Sequence, residues 1–138
     1  MLVSKKILIA DDNDLVRKLL RIMLENHKGW VICAEAADGP QAVVKAKESN
    51  PDAVILDFAM PIMDGLGAAR EITRALPSVP ILLFTLYDSP EMALAAKEAG
   101  VSRVLPKTAS GLPLIQAVQD LLANGSESTC AETPCPNA

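Results

Sequence analysis

Along the chain, short unbroken apolar runs alternate with longer stretches in which apolar positions recur every three or four residues. The first pattern is that of strands covered on both faces, the second that of helices with one buried stripe. Ala53-Val54-Ile55-Leu56, bounded by Pro51-Asp52 and Pro61, contains no polar position and is read as a central strand that runs into Asp57. Lys5–Ala10, Trp30–Ala36, Val79–Thr85 and Ser102–Lys107 are read as four more strands, with Pro80 tolerable only at the entry of its strand. Leu15, Val16, Leu19, Leu20, Ile22 and Met23 predict a helix from Asp14 to about Asn26, and Ala42, Val43, Ala46 and Lys47 a second, small-faced one. Gly65–Leu76 and Pro90–Ala99 follow, and a last helix carries Leu114, Ile115, Val118, Leu121 and Leu122. Asp14, Asp38, Asp64 and Ser110 stand where side-chain oxygens cap helix starts. His27-Lys28-Gly29, Asn50-Pro51, Gly100 and Asn124-Gly125 stand where helices stop.

Strands alternating with helices throughout predict a doubly wound α/β fold, because each parallel crossover requires a helix. Residues 1–124 make one domain; residues 125–138 are polar and without period, and read as a disordered tail, the start of a linker or an expression remnant. A formal net charge of -4 disfavours direct nucleic-acid binding by this domain, which would need a basic face. Cys33, Cys130 and Cys135 match no zinc spacing, and Cys33, in an apolar run, is expected to be a buried free thiol. No apolar run approaches a bilayer span and no signal segment opens the chain, so the expected setting is cytoplasmic, away from membranes.

Asp57 closes the central apolar run, and Asp11 and Asp12 close the run Ile7-Leu8-Ile9-Ala10. In open α/β sheets, ligands sit beyond the carboxyl ends of the strands. Three carboxylates converging there repel one another and require a proton or a cation, and oxygen donors in that number suit a hard divalent metal such as magnesium. Taken singly, Asp57 could be a turn cap, Thr85 an ordinary β-branched strand residue and Lys107 a solvated charge. Their common placement at strand ends favours a site. His27, the sole histidine, sits at a helix C-terminus, where its charge would complement the dipole. Tyr87 is read as loop packing or as a gate beside the site.

Asp11-Asp12, Asp57 with Met60-Pro61 and Asp64-Gly65, Thr85 and Lys107, in that order on successive strand ends, resemble the receiver domain of bacterial two-component response regulators. The resemblance covers about Lys5 to Asn124 and implies a five-stranded parallel sheet with helices on both faces, in the flavodoxin-like order 2-1-3-4-5. It implies that Asp57 takes a phosphoryl group from a sensor histidine kinase or a histidine phosphotransfer protein. Magnesium would be ligated by Asp12, Asp57 and the backbone carbonyl of Ala59, with Asp11 acting through water; Lys107 and Thr85 would contact phosphoryl oxygens. Such a domain is no enzyme beyond assisting its own phosphorylation and dephosphorylation, and works as a monomer or a phosphorylation-dependent dimer with an output partner that the sequence leaves unknown. Glu35-Ala36-Ala37-Asp38-Gly39 and Leu105-Pro106-Lys107-Thr108-Ala109-Ser110 resemble the subfamily whose receivers usually precede a helix-turn-helix domain. A stand-alone receiver, a relay intermediate and an amino-terminal piece of a DNA-binding regulator all remain open.

The chain departs from the receiver pattern at Val104, where an aromatic switch residue usually stands, and at Pro106, which precedes the lysine instead of following it. Ala59 and Tyr87 hold the positions that in receivers influence water access to the acyl phosphate. Haloacid-dehalogenase-type phosphatases also use a strand-end aspartate, but Ala59 occupies the place of their second acid. Flavodoxin-like electron carriers cradle phosphate in the first loop, where Asp11-Asp12 would repel it.

Overall fold

The computed structural model describes residues 4–109 and 111–125. The elements alternate as expected: β1 (Lys5–Ala10), α1 (Asp14–Glu25), β2 (Trp30–Ala36), α2 (Gly39–Ser49), β3 (Ala53–Leu56), α3 (Gly65–Ala75), β4 (Ile81–Thr85), α4 (Pro90–Glu98), β5 (Arg103–Pro106) and α5 (Leu112–Gly125). Every strand pairing is parallel and the sheet order is β2-β1-β3-β4-β5, the flavodoxin-like arrangement.

Each strand's period-two alternation feeds two apolar layers. Ile7, Ile9, Ile55, Leu82 and Phe84 point to the side covered by α1 and α5, where they meet Leu20, Leu24, Leu114 and Val118. Leu8, Ala10, Val54, Leu56 and Leu83 point to the other side, against Ala42, Val43 and Ala46 of α2, Ala69 and Ile72 of α3, and Ala96 of α4. All four residues of β3 are buried, as its uninterrupted apolar run requires. The alanines of α2 and α3 give these helices a close seat on the sheet.

Several boundaries differ from the sequence reading. Asn13, not Asp14, caps α1: its side chain accepts from the amides of Leu15 and Val16, while Asp14 is already helical and pairs with Arg17. Asp38 and Asp64 do cap α2 and α3, accepting from Gln41 N at 2.8 Å and Gly67 N at 2.9 Å. Ser110 lies outside the described residues, as do residues 126–138 of the expected tail, and α5 extends to Gly125. Val79 and Pro80 stay out of β4, because proline has no N–H for the ladder. Lys107 leaves β5 and opens a 3-10 turn, Lys107–Ala109. Cys33 is half-buried rather than buried, since it sits where the β1–β2 register slips on the edge strand; its thiol donates to the Ile7 carbonyl at 3.6 Å.

The register aligns the chemistry. Ala10 pairs with Leu56, and the Asp57 amide donates to the Ala10 carbonyl at 2.9 Å, so Asp11 and Asp57 leave adjacent strands side by side. Thr85 pairs with Pro106, which delivers Lys107 one residue later to the same edge. The start of α3 presses on β3's exit: the Gly65 amide donates to the Phe58 carbonyl at 2.7 Å. A Cβ at Gly65 would lie 2.3 Å from the Asp57 carbonyl oxygen, inside any permitted contact.

Gly65→Ala is therefore expected to cost about 1–3 kcal/mol, as overpacking against fixed backbone does, and to shift the amide resonances of Asp57 and Phe58. Gly67→Ala meets no backbone, only the Met63 side chain at 2.8 Å and, at ordinary contact distance, Asp64 Oδ1 at 3.6 Å, and it gains helix propensity. Urea unfolding of the two variants should place Gly67→Ala near or above the parent and Gly65→Ala clearly below it; equal stabilities would contradict the packing described.

Candidate functional site

The strand ends bring Asp11, Asp12 and Asp57 together so that one oxygen from each lies within 4.8 Å of the others. Asp11 and Asp57 are buried, at 2% and 6% exposure, whereas Asp12 faces solvent. Lys107, although distant in sequence, reaches into the cluster. Its Nζ lies 2.8 Å from Asp11 Oδ2 and 3.3 Å from Asp57 Oδ2. The remaining Asp11 oxygen accepts from the Asn13 amide at 2.9 Å.

The electrostatics follow from this crowding. Burial, and then repulsion from Asp11, raise the Asp57 carboxyl above its ordinary value of 3.8; Lys107 and the Ala59 amide, which donates to Asp57, hold it down only partly. Burial alone would lower Lys107, but its hydrogen bond to Asp11 and the charges of Asp11 and Asp57 outweigh this and raise its ammonium above the ordinary 10.5. Three clustered carboxylates, two of them paired with one ammonium, leave excess negative charge among hard oxygen donors, with Asp12 facing solvent. That donor set fits a hard divalent cation such as magnesium. Ala59, expected as a ligand through its carbonyl, engages Asp57 through its N–H.

Thr85 closes the neighbouring strand end and is fully buried. Its hydroxyl oxygen accepts from the Tyr87 amide at 3.1 Å, a local turn that fixes where β4 exits. Tyr87 is 55% exposed, and its ring packs edge-on against Phe58, with centroids 5.7 Å apart. Tyr87 thus packs on the residue after Asp57 and lines a groove of about 430 Å³ in which Phe58, Leu66, Leu86, Met92 and Ala95 are joined by Asp88, Ser89 and Glu91. Val104 is half-buried on β5, packed against the α2–α4 layer of the core.

Beyond β3, the chain turns tightly. Met63 N donates to the Pro61 carbonyl at 2.7 Å across Ile62, which has φ 73° and is 85% exposed. A β-branched residue in that region stores about 1–3 kcal/mol of strain. The strain is held between Asp57 and the capped start of α3, in a loop that flanks the site. Two contributors were not singled out by sequence reasoning. Asn13 was hidden by the neighbouring Asp14, an equally good cap. Arg17 donates to the Asp11 carbonyl at 2.7 Å, a contact that its place between the apolar positions of α1 does not signal.

A family model described as the response regulator receiver domain matches residues 7–119. Among curated proteins, the chain is 36% identical over 120 residues to the transcriptional regulatory protein LnrK of Bacillus subtilis, covering 87% of this chain and 54% of LnrK. It is 42% identical over 102 residues to a protein-glutamate methylesterase/protein-glutamine glutaminase of Alkalilimnicola ehrlichii, covering 72% of this chain and 26% of that protein. The chain thus spans from a quarter to about half the length of these relatives. A crystal structure of a LuxR-family two-component response regulator from Aurantimonas superposes with a TM-score of 0.81 at 34% identity, covering 88% of this chain and 86% of that one.

The raised Asp57 carboxyl has a defined consequence for stability. A carboxyl with a raised folded-state value binds its proton more tightly in the native state, so its contribution is favourable at low pH and is lost as pH rises through the folded value. At neutral pH the ionised group opposes folding. Asp57→Asn should therefore raise the metal-free melting temperature at neutral pH. The gain should shrink as pH falls through the raised folded-state value toward 3.8, because the native carboxyl takes up its proton over that range. Melting curves from neutral pH down to about pH 4 check this, and a pH-independent difference would contradict it.

Proposed function

Because the chain belongs to the response regulator receiver domain family of two-component signalling, we propose that Asp57 accepts a phosphoryl group from a phosphohistidine on a sensor kinase or a histidine phosphotransfer protein. The observation that carries this reading is the buried Asp57 carboxylate, flanked by a second acid and held by the Lys107 ammonium. An Asp57 oxygen attacks phosphorus, the P–N bond to the histidine breaks, and an acyl phosphate forms. Asp12, Asp57 and the Ala59 carbonyl would hold magnesium, with Asp11 supporting it through water. Bound there, the metal supplies charge neutralisation on the transferring group. Lys107 moves from the Asp57 carboxylate to a phosphoryl oxygen, and Thr85 turns its hydroxyl proton toward another.

That turn bears on Tyr87. The Thr85 oxygen that would face the phosphoryl group now accepts from the Tyr87 amide. Val104 has no ring or hydroxyl to swing, so we read the response as local: a shift of Tyr87 against Phe58 and of the loop from Thr85 to Pro90. Ala59 cannot orient water and Tyr87 stands beside the site, so the phosphoryl group should be long-lived. We place the domain in the cytoplasm; among the described residues no helix is long and apolar enough to cross a membrane. We take residues 1–124 as the receiver unit, working as a monomer or a phosphorylation-dependent dimer. A second reading, an amino-terminal part of a DNA-binding regulator, draws on relatives such as LnrK. The methylesterase match weakens it, because receivers of this kind also serve other outputs.

Incubation with acetyl phosphate and magnesium should add one phosphoryl group by intact mass, and Asp57→Asn should abolish the addition. Label mapping to Asp11, Asp12 or His27 would refute the assignment. Ala59→Asn combined with Tyr87→Glu should speed decay of the phosphorylated form, followed by mass after the donor is removed; unchanged decay would eliminate the gating role.

A further inference from the structure

The guanidinium of Arg17 lies at the meeting point of three elements, with its side chain only 16% exposed. Nη1 donates to the main-chain carbonyl of Asp11 at 2.7 Å, where β1 ends. Nη2 pairs with Asp14 in the first turn of α1, and Nε faces Glu35 Oε1 at 3.4 Å, on β2. Glu35 is itself anchored: its other oxygen pairs with Arg21 and its carbonyl accepts from Lys45 Nζ. A planar fork with donors in several directions can bridge such a set; a single ammonium cannot.

The bond to Asp11 completes a pattern around that residue. The Asp11 amide donates to the Ala36 carbonyl at 3.0 Å, Oδ1 accepts from Asn13 N, and Oδ2 accepts from Lys107. Its carbonyl oxygen is the remaining polar group, and Arg17 takes it. That oxygen belongs to the Asp11–Asp12 peptide. On the far side, Asn13 is fixed as the cap of α1. Asp12 is the one exposed member of the acid cluster, so the peptide before it and the cap after it set where its carboxylate points.

We propose that Arg17 is a positioning residue that clamps the Asp11–Asp12 peptide and thereby sets the cation affinity of the acid cluster. The proposal rests on the cation-assisted phosphoacceptor reading above. Two physical effects of Arg17 carry opposite signs, which makes the proposal testable. As a positive charge beside the acids, Arg17 opposes binding of a second cation, so removing it for electrostatic reasons alone would tighten binding. As a clamp, it aligns the ligands, so its loss loosens binding. Orienting partners around metal ligands typically control about 10–100-fold in affinity, and we expect the clamp to dominate.

The test is titration with magnesium chloride alone, followed by amide chemical shifts of Asp12 and Asn13 and by melting temperature, in the parent, Arg17→Met, Arg17→Lys and Glu35→Gln. Both Arg17 variants should require about tenfold more magnesium for half-saturation, although Arg17→Lys retains the charge. Glu35→Gln, which loosens the anchor but keeps the bond to Asp11, should fall between them and the parent; it also carries the test if Arg17→Met does not fold. Tighter or unchanged binding in the Arg17 variants, or lowered metal-free stability with unchanged half-saturation, would overturn the clamp while leaving the phosphoacceptor reading intact. A parent indifferent to magnesium would overturn both.

Discussion

The Lys107 ammonium between Asp11 and Asp57 is the interaction on which the site depends, at 2.8 and 3.3 Å from their carboxylates. Two acids with almost no solvent exposure cannot both stay ionised beside each other without a counter-charge, because the desolvation cost is several kcal/mol per ion. One lysine answers two carboxylates and leaves Asp12 as additional negative charge, so the cluster is stable enough to fold yet short of cations. A group held in that balance is suited to exchange. Lys107 can transfer its attention to an incoming anionic group, and a divalent cation can take the charge that the lysine leaves behind.

The fold's contribution is to bring these residues from distant parts of the chain to one edge. Parallel register places Asp11 beside Asp57 and delivers Lys107 one residue after the Thr85–Pro106 pairing. Gly65 lets α3 begin directly against the Asp57 backbone, and the strained turn at Ile62 joins that start to β3. Arg17 and Asn13 hold the acid loop from the opposite side. Each of these supports lies in a connection or at a helix start, where a side-chain or backbone bond replaces a ladder bond that the strand no longer makes.

Much of this was legible in the sequence because the relevant signals are periodic or terminal. The uninterrupted run of Ala53 to Leu56 specified a doubly covered strand, and the acids that follow β1 and β3 marked the sheet edge where the three carboxylates gather. Helix starts were legible to within a residue; Asp14, read as the cap of α1, yields that place to Asn13, because both side chains can cap and only geometry distinguishes them. Cys33 was misjudged because hydrophobicity cannot show that β2 is an edge strand with a register slip. The role of Arg17 left no sequence signal. An arginine on the polar face of an amphipathic helix looks the same whether it meets water or a carbonyl across a turn, and only the tertiary fold decides which. Thr85's engagement with the Tyr87 amide was likewise invisible, since a two-residue backbone bond depends on how the chain leaves the strand.

The coupling between Lys107 and the acids can be measured at the acceptor itself. Asp57's side-chain carboxyl carbon, followed by NMR across the acid range, reports its protonation directly in the parent and in Lys107→Met. The expected result is a parent Asp57 that titrates above 3.8, a further rise when Lys107 is removed, and a fall when magnesium is added. An Asp57 that titrates at its ordinary value and responds to neither change would contradict a site built on shared counter-charge.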